Sequence, residues 1–201
     1  MEKFKTVTSK VTPLPMKDVD TDLIIPAQFL TSISREGYGV NLFKRLRETD
    51  PNFPLNQEKY KGSQILLVDS NFGCGSSREH AVWALAGAGF KVVIGKSFAD
   101  IFTGNCGKNG VLLVVLTDDQ IDKMLKSAKE QTYSVSVNLA DQKVTLPSGE
   151  EYSFEYDSFR KHCLLNGLDD IDYIRSFETD IDNFRSEQKK DQRFSLLAEA
   201  Q

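Results

Sequence analysis

Apolar positions gather into short runs at Gln64-Ile65-Leu66-Leu67-Val68, Phe90-Lys91-Val92-Val93-Ile94 and Val111-Leu112-Leu113-Val114-Val115-Leu116. Runs of this length without alternation predict strands covered on both faces, the signature of a parallel sheet. Between the first two, Arg78 to Ala88 is rich in Ala, Leu and Trp and predicts a helix, left through Gly87 and Gly89. Strand, helix and strand in that succession make a right-handed βαβ unit. Thr117-Asp118-Asp119-Gln120 then caps a helix running to about Lys129.

Beyond that helix the period changes. Tyr133-Ser134-Val135-Ser136-Val137-Asn138-Leu139 alternates polar with apolar residues, turns near Ala140-Asp141, and resumes as Lys143-Val144-Thr145-Leu146. Strict alternation predicts a half-exposed antiparallel hairpin. After Tyr152 to Tyr156, Ser158 is the expected cap of a helix that Gly167 stops. A last amphipathic helix is expected to carry Ile171, Ile174, Phe177, Ile181 and Phe184, and the charged tail beyond Gln188 is expected to fray. At the other end, the prolines and aspartates up to Leu30 predict loops and short strands. Thr31 to Lys61 turns polar, with Gly37, Gly39, Pro51 and Pro54 interrupting a possible helix at Asn41 to Glu48. Such a surface excursion is often a lid.

The expected fold is therefore α/β with mixed parallel and antiparallel strands. The chain has 201 residues, enough for one domain with a proper core, and neither a linker nor an internal repeat divides it. With a net charge of −4 it has no basic footprint for nucleic acid. No apolar run reaches bilayer length and no leader pattern follows Met1, so a cytoplasmic location off the membrane is expected. Cys74, Cys106 and Cys163 are widely spaced and lack a C-x-x-C pair, and His80 and His162 sit in no ligand motif. Neither a disulfide framework nor a metal site held by this chain alone is expected.

The chemistry concentrates in Asp69-Ser70-Asn71-Phe72-Gly73-Cys74-Gly75-Ser76-Ser77-Arg78-Glu79-His80, where a strand turns into a helix. Ser76 and Glu79 have the spacing of a capping box. Hydroxyls and a guanidinium would then gather where helix N–H groups are unpaired and the dipole is positive, a setting for a carboxylate or phosphate. Glycine and serine also belong to any such turn for steric reasons. Arg78 tips the balance, because a cation opposing the dipole makes sense beside an anion.

Other chemistries fail on spacing. A nucleophile elbow needs Gly-x-Ser-x-Gly, whereas Gly75 is followed directly by Ser76-Ser77, and His80 would share their helix. Gly95-Lys96-Ser97 ends like a P-loop, but the earlier glycine would fall at Phe90. Cys74 has no base placed near it by the sequence and reads as a small packing residue. Asp18, Asp20 and Asp22 would share one side of an extended segment but lack the glycine and terminal glutamate of an EF-hand, so capping and loop bonding is their plain reading. His80 beside Trp83 reads as a buried, hydrogen-bonded histidine, and Arg35 as a surface charge within the excursion.

The turn 69–81, with Asp18-Val19-Asp20-Thr21-Asp22 and Lys161-His162-Cys163-Leu164-Leu165-Asn166-Gly167-Leu168-Asp169-Asp170-Ile171, resembles the small-subunit family of 3-isopropylmalate dehydratase, in the same order over most of the chain. Gly-Ser-Ser-Arg-Glu-His alone resembles the wider aconitase superfamily. Val82 stands where the family often has proline, and Thr31 to Ser34 is less basic than usual. The resemblance implies the swivelling β/β/α fold of the last aconitase domain over residues 1–201, with a lid excursion at 31–61 and a helical tail from about 168. It implies a hydro-lyase that works only with a large subunit, which supplies a 4Fe-4S cluster, and interconverts the dicarboxylates 2- and 3-isopropylmalate in leucine biosynthesis. Ser76 would be the base, Ser77, Arg78 and Arg35 would hold substrate, and Asp20, Thr21, Asp22 and His80 would support them. A subunit for another 2-hydroxy diacid, of homoaconitate or methylmalate type, and a non-catalytic assembly module are the alternatives.

Overall fold

The computed structural model describes residues 1–30 and 36–188. The chain enters through an eight-residue strand, β1 (Val7–Leu14), then a single helical turn, α1 (Thr21–Ile24), and a short helix, α2 (Lys44–Thr49). Strands and helices next alternate as β2 (Ile65–Val68), α3 (Glu79–Gly87), β3 (Val92–Gly95), α4 (Asp100–Lys108) and β4 (Leu112–Val115). Helix α5 (Asp118–Glu130) leads into β5 (Ser134–Asn138), β6 (Lys143–Thr145) and β7 (Glu151–Ser153). The last described elements are α6 (Ser158–Asn166), α7 (Asp170–Arg175) and α8 (Glu178–Gln188).

These strands form one sheet in the order β4-β3-β2-β1-β5-β6-β7. The runs read as buried strands are β2, β3 and β4, mutually parallel, and the alternating segments are the antiparallel β5 and β6. Their junction is β1, whose second half, Val11 to Leu14, runs parallel to β2 while its first half, Val7 to Lys10, runs antiparallel to β5. This corrects the expectation of loops and short strands before Leu30. Pro13 lies inside β1, a position that normally argues against a central strand. The Val11 N–H points to the β5 side, to the carbonyl of Tyr133, and Pro13 has the same parity. Its missing N–H therefore faces the flank that β5 has already left.

Side chains of β2 alternate between two apolar layers. Leu66 and Val68 join Ala81, Val82, Ala84 and Leu85 of α3 and Phe102 of α4. Ile65 and Leu67 join Ile121, Met124 and Leu125 of α5 with Val137, Val144 and Leu164. The excursion is tied down through the buried Tyr38, Leu42, Phe43, Phe53 and Tyr60. Gly39 approaches the end of α3 so closely that a Cβ there would lie 2.3 Å from the Gly87 carbonyl carbon, leaving room for glycine only.

Helix ends follow local chemistry with exceptions. Thr117 and Gln120 form the expected capping box, and Gly167 ends α6 in the left-handed conformation. The cap of α6 is Asp157, not Ser158: its carboxylate accepts the Arg160 N–H at 2.8 Å, and Ser158 is already helical. The last helix is two, α7 and α8, with Asp169 capping the first. Their stripe does not pack inward, since Ile171, Ile174, Phe177 and Phe184 are all exposed. Among the described residues, no helix is long and apolar enough to cross a membrane.

Candidate functional site

The turn after β2 is stitched to its neighbours on both sides. Toward β3, Ser97 accepts the Asn71 N–H on its hydroxyl at 2.8 Å and the Phe72 N–H on its carbonyl at 3.1 Å. The Phe72 carbonyl accepts from Ala99 N–H, and the half-buried Lys96 reaches Asp69 with its Nζ at 3.2 Å. Toward β1, Gly73 N–H donates to the Val19 carbonyl at 2.7 Å and Thr21 N–H to the Cys74 carbonyl at 2.9 Å. The turn thus sits where loops leave the carboxyl ends of parallel strands, the usual place for a ligand in an open α/β sheet.

The capping box expected between Ser76 and Glu79 does not form. Helix α3 begins at Glu79 with Arg78 as its N-cap residue, and the Arg78 side chain makes no capping hydrogen bond. Glu79 instead accepts from Asn109 Nδ2 at 2.8 Å, and Asn109 Oδ1 accepts from Trp83 Nε1 at 3.0 Å. The turn before α3 is consequently open. Ser76 is exposed, and its carbonyl is held by the Thr21 hydroxyl at 2.9 Å, which leaves its own hydroxyl without a partner among the described residues. The backbone N–H groups of Gly75, Ser76, Ser77 and Arg78 likewise donate to no acceptor among the described residues. Arg78 is ion-paired through one guanidinium nitrogen to Asp22. That leaves the rest of the fork available to an anion.

A cavity of about 240 Å³ opens here, lined in part by Thr21, Gly73, Gly75, Ser76 and Arg78. The rest of its lining comes from α4 and the residue before it, with Ala99, Asp100, Ile101, Phe102 and Asn105. Nothing in the sequence reading singled out that part of the lining. The signal was the second βα connection, which ends at the same edge of the sheet as the first.

The other expected site residues have different duties. Ser77 is exposed and lies outside the lining. Asp20 caps α1 by accepting Leu23 N–H at 2.7 Å, Asp22 holds Arg78, and Asp18 accepts from Asn71 Nδ2 at 2.7 Å. Capping and loop bonding thus describe the aspartates, whereas a common side of an extended segment does not, because the chain turns helical at Thr21. His80 is half-buried and held by ring contacts, its centroid 5.3 Å from Tyr38 and 4.6 Å from Trp83. Arg35 lies outside the described residues. Burial, followed by Asp20 and Asp18, pushes the Cys74 thiol up, so it is a poor nucleophile. Among the described residues no group of three or more His, Cys, Asp or Glu could hold a metal ion.

Comparisons with known proteins point one way. The model of the aconitase C-terminal domain matches residues 1–119, and the LeuD_N model matches residues 122–158. The chain is 47% identical over 207 aligned residues to the 3-isopropylmalate dehydratase small subunit of Neisseria meningitidis serogroup C, covering 96% of this chain and 97% of that protein. It is 53% identical over 188 residues to the namesake from Acidobacterium capsulatum, covering 93% and 91%. The crystal structure of 3-isopropylmalate dehydratase from Methanocaldococcus jannaschii superimposes with a TM-score of 0.68 at 25% identity, over 89% of this chain and 99% of that one. With this fold, this turn and these relatives, the chain belongs to the 3-isopropylmalate dehydratase small-subunit family, within the aconitase superfamily.

Proposed function

We propose that this chain is the substrate-clamping half of a hydro-lyase, which with a large subunit interconverts 2-isopropylmalate and 3-isopropylmalate by dehydration and rehydration in leucine biosynthesis. One observation carries the reading: Ser76 and Arg78 line a cavity, and the backbone N–H groups beside them donate to no acceptor among the described residues. At about 240 Å³ the cavity is smaller than the roughly 300–1,000 Å³ of an ordinary ligand site, which suits a half-site completed by a partner. An iron–sulfur cluster does not fit this chain. Such clusters need several cysteine thiolates around one point, whereas Cys106 and Cys163 are buried and, among the described residues, no group of three or more His, Cys, Asp or Glu could hold a metal ion. We assign the cluster to the large subunit.

The residues here divide the remaining work. Ser76, as its alkoxide, receives the proton that leaves the carbon alpha to a carboxylate and becomes the hydroxyl. Its oxyanion gains from the N–H groups of 75–78 and the positive end of α3. The Arg78 fork, braced by Asp22, holds a substrate carboxylate. Ser77 and Arg35 hold substrate beside it, and Thr21 fixes the Ser76 backbone. A soluble, cytoplasmic setting follows from this role.

The test is reconstitution. Co-purified with the large subunit of a relative, the chain restores the absorbance of the unsaturated intermediate formed from isopropylmalate, and alone it is inactive. A stable complex inert toward isopropylmalate would reject the reading. Within the complex, Arg78→Lys keeps the ion pair to Asp22 but loses the planar fork. KM is expected to rise about 10-fold or more, as a charge-assisted hydrogen bond is worth, with a smaller change in kcat. An unaltered KM removes Arg78 from the clamp.

A further inference from the structure

The cavity that Ser76 and Arg78 line also has apolar residues at an unexpected place. Ile101, in the first turn of α4, is 56% exposed and lines the cavity together with Ala99 and Phe102. Phe102 is spoken for: it is buried at 2% exposure and packs edge-on against Phe72 at 5.5 Å between ring centroids. Ile101, by contrast, belongs to neither apolar core cluster. It is a large aliphatic side chain lining the same cavity as a hydroxyl, amides and a guanidinium. A ligand that fills such a space is amphipathic, with carboxylate toward Arg78 and a branched alkyl group toward α4. Asp100 and Asn105 share the α4 wall, and the Asp100 carboxylate repels a second anion from that side. The alkyl end is therefore the one the wall accepts.

We infer that Ile101 is a specificity-determining residue, its side chain forming the apolar seat for the alkyl branch of the diacid. The inference rests on the proposed function and sharpens it, since the turn alone would treat any 2-hydroxy diacid alike. Discrimination by an apolar wall is modest: one methylene in a hydrophobic pocket is worth about 10- to 200-fold. Removing most of the Ile101 side chain should cost the low end of that range.

The experiment compares isopropylmalate with its methyl-substituted analogue in the reconstituted complex. Ile101→Ala is expected to lower kcat/KM for isopropylmalate about 10-fold while changing the methyl substrate about 2-fold or less, so that the ratio collapses. Ile101→Val should fall between. An unchanged ratio overturns the inference, as does equal loss on both substrates or loss of subunit association in gel filtration. Failure of the parent reading looks different: the unsubstituted complex would then turn over neither diacid. Because Ile101 is exposed and outside both cores, misfolding is not expected to obscure the result, and an unaltered melting temperature checks this.

Discussion

Ser76→Ala, assayed in the complex with the large subunit, loses at least about 10²-fold in turnover and almost nothing in stability. The first half follows from the role proposed for the hydroxyl, because a positioned proton acceptor is worth about 10² to 10⁴ in rate. The second follows from the structure. The side chain is exposed and its hydroxyl has no partner among the described residues, so deleting one oxygen leaves no buried group unsatisfied. Surface changes of this kind usually stay within about 0.5 kcal/mol. The backbone at this position is held by Thr21 to the Ser76 carbonyl, a bond that alanine keeps. A variant that melts and assembles like the parent yet turns over normally would falsify the assignment. One that loses KM more than kcat would move Ser76 from proton transfer to binding.

The region that supplies Ser76 was legible in the sequence because its determinants are local. The unbroken runs of β2, β3 and β4 and the intervening helix need no information beyond their own composition, and they place the turn at the carboxyl edge of a parallel sheet. Where distant partners decide, the reading failed. The Ser76 and Glu79 spacing fits a capping box, but Asn109, thirty positions away, takes the Glu79 carboxylate. Helix α4 was not anticipated: Thr103, Gly104, Asn105 and Gly107 are poor helix formers, and what holds it is the burial of Phe102 and Cys106. With α4 went the apolar half of the cavity. Pro13 hid β1 for a similar reason, as its cost depends on which flank its nitrogen faces. The stripe at Ile171 to Phe184 shows the converse limit, since periodicity reveals an apolar face and not what the face packs against.

Gly73→Ala is expected to be strongly destabilising. Two costs add there. The residue has φ of +78°, where a side chain is strained by about 1–2 kcal/mol. A Cβ would also stand 2.2 Å from Cγ, 2.6 Å from Cδ1 and 2.7 Å from Cβ of Phe102. Phe102 has little freedom to retreat, being buried against Phe72, so the turn itself must move. Overpacking of this kind costs about 1–3 kcal/mol, bringing the total to roughly 2–5 kcal/mol. For a chain of this size that corresponds to a fall in melting temperature of about 5–15 °C. The displaced turn carries Ser76 and Arg78 with it, so activity should drop even below the transition. Gly75→Ala separates the two costs. At φ +88° it meets the same backbone strain, but its nearest contact would be Asp20 Cβ at an ordinary 3.4 Å. It should therefore lose only the strain, about 1–2 kcal/mol, and keep the turn in place. Equal melting temperatures for the two variants would show that Phe102 yields easily and that the turn is not set by this close approach.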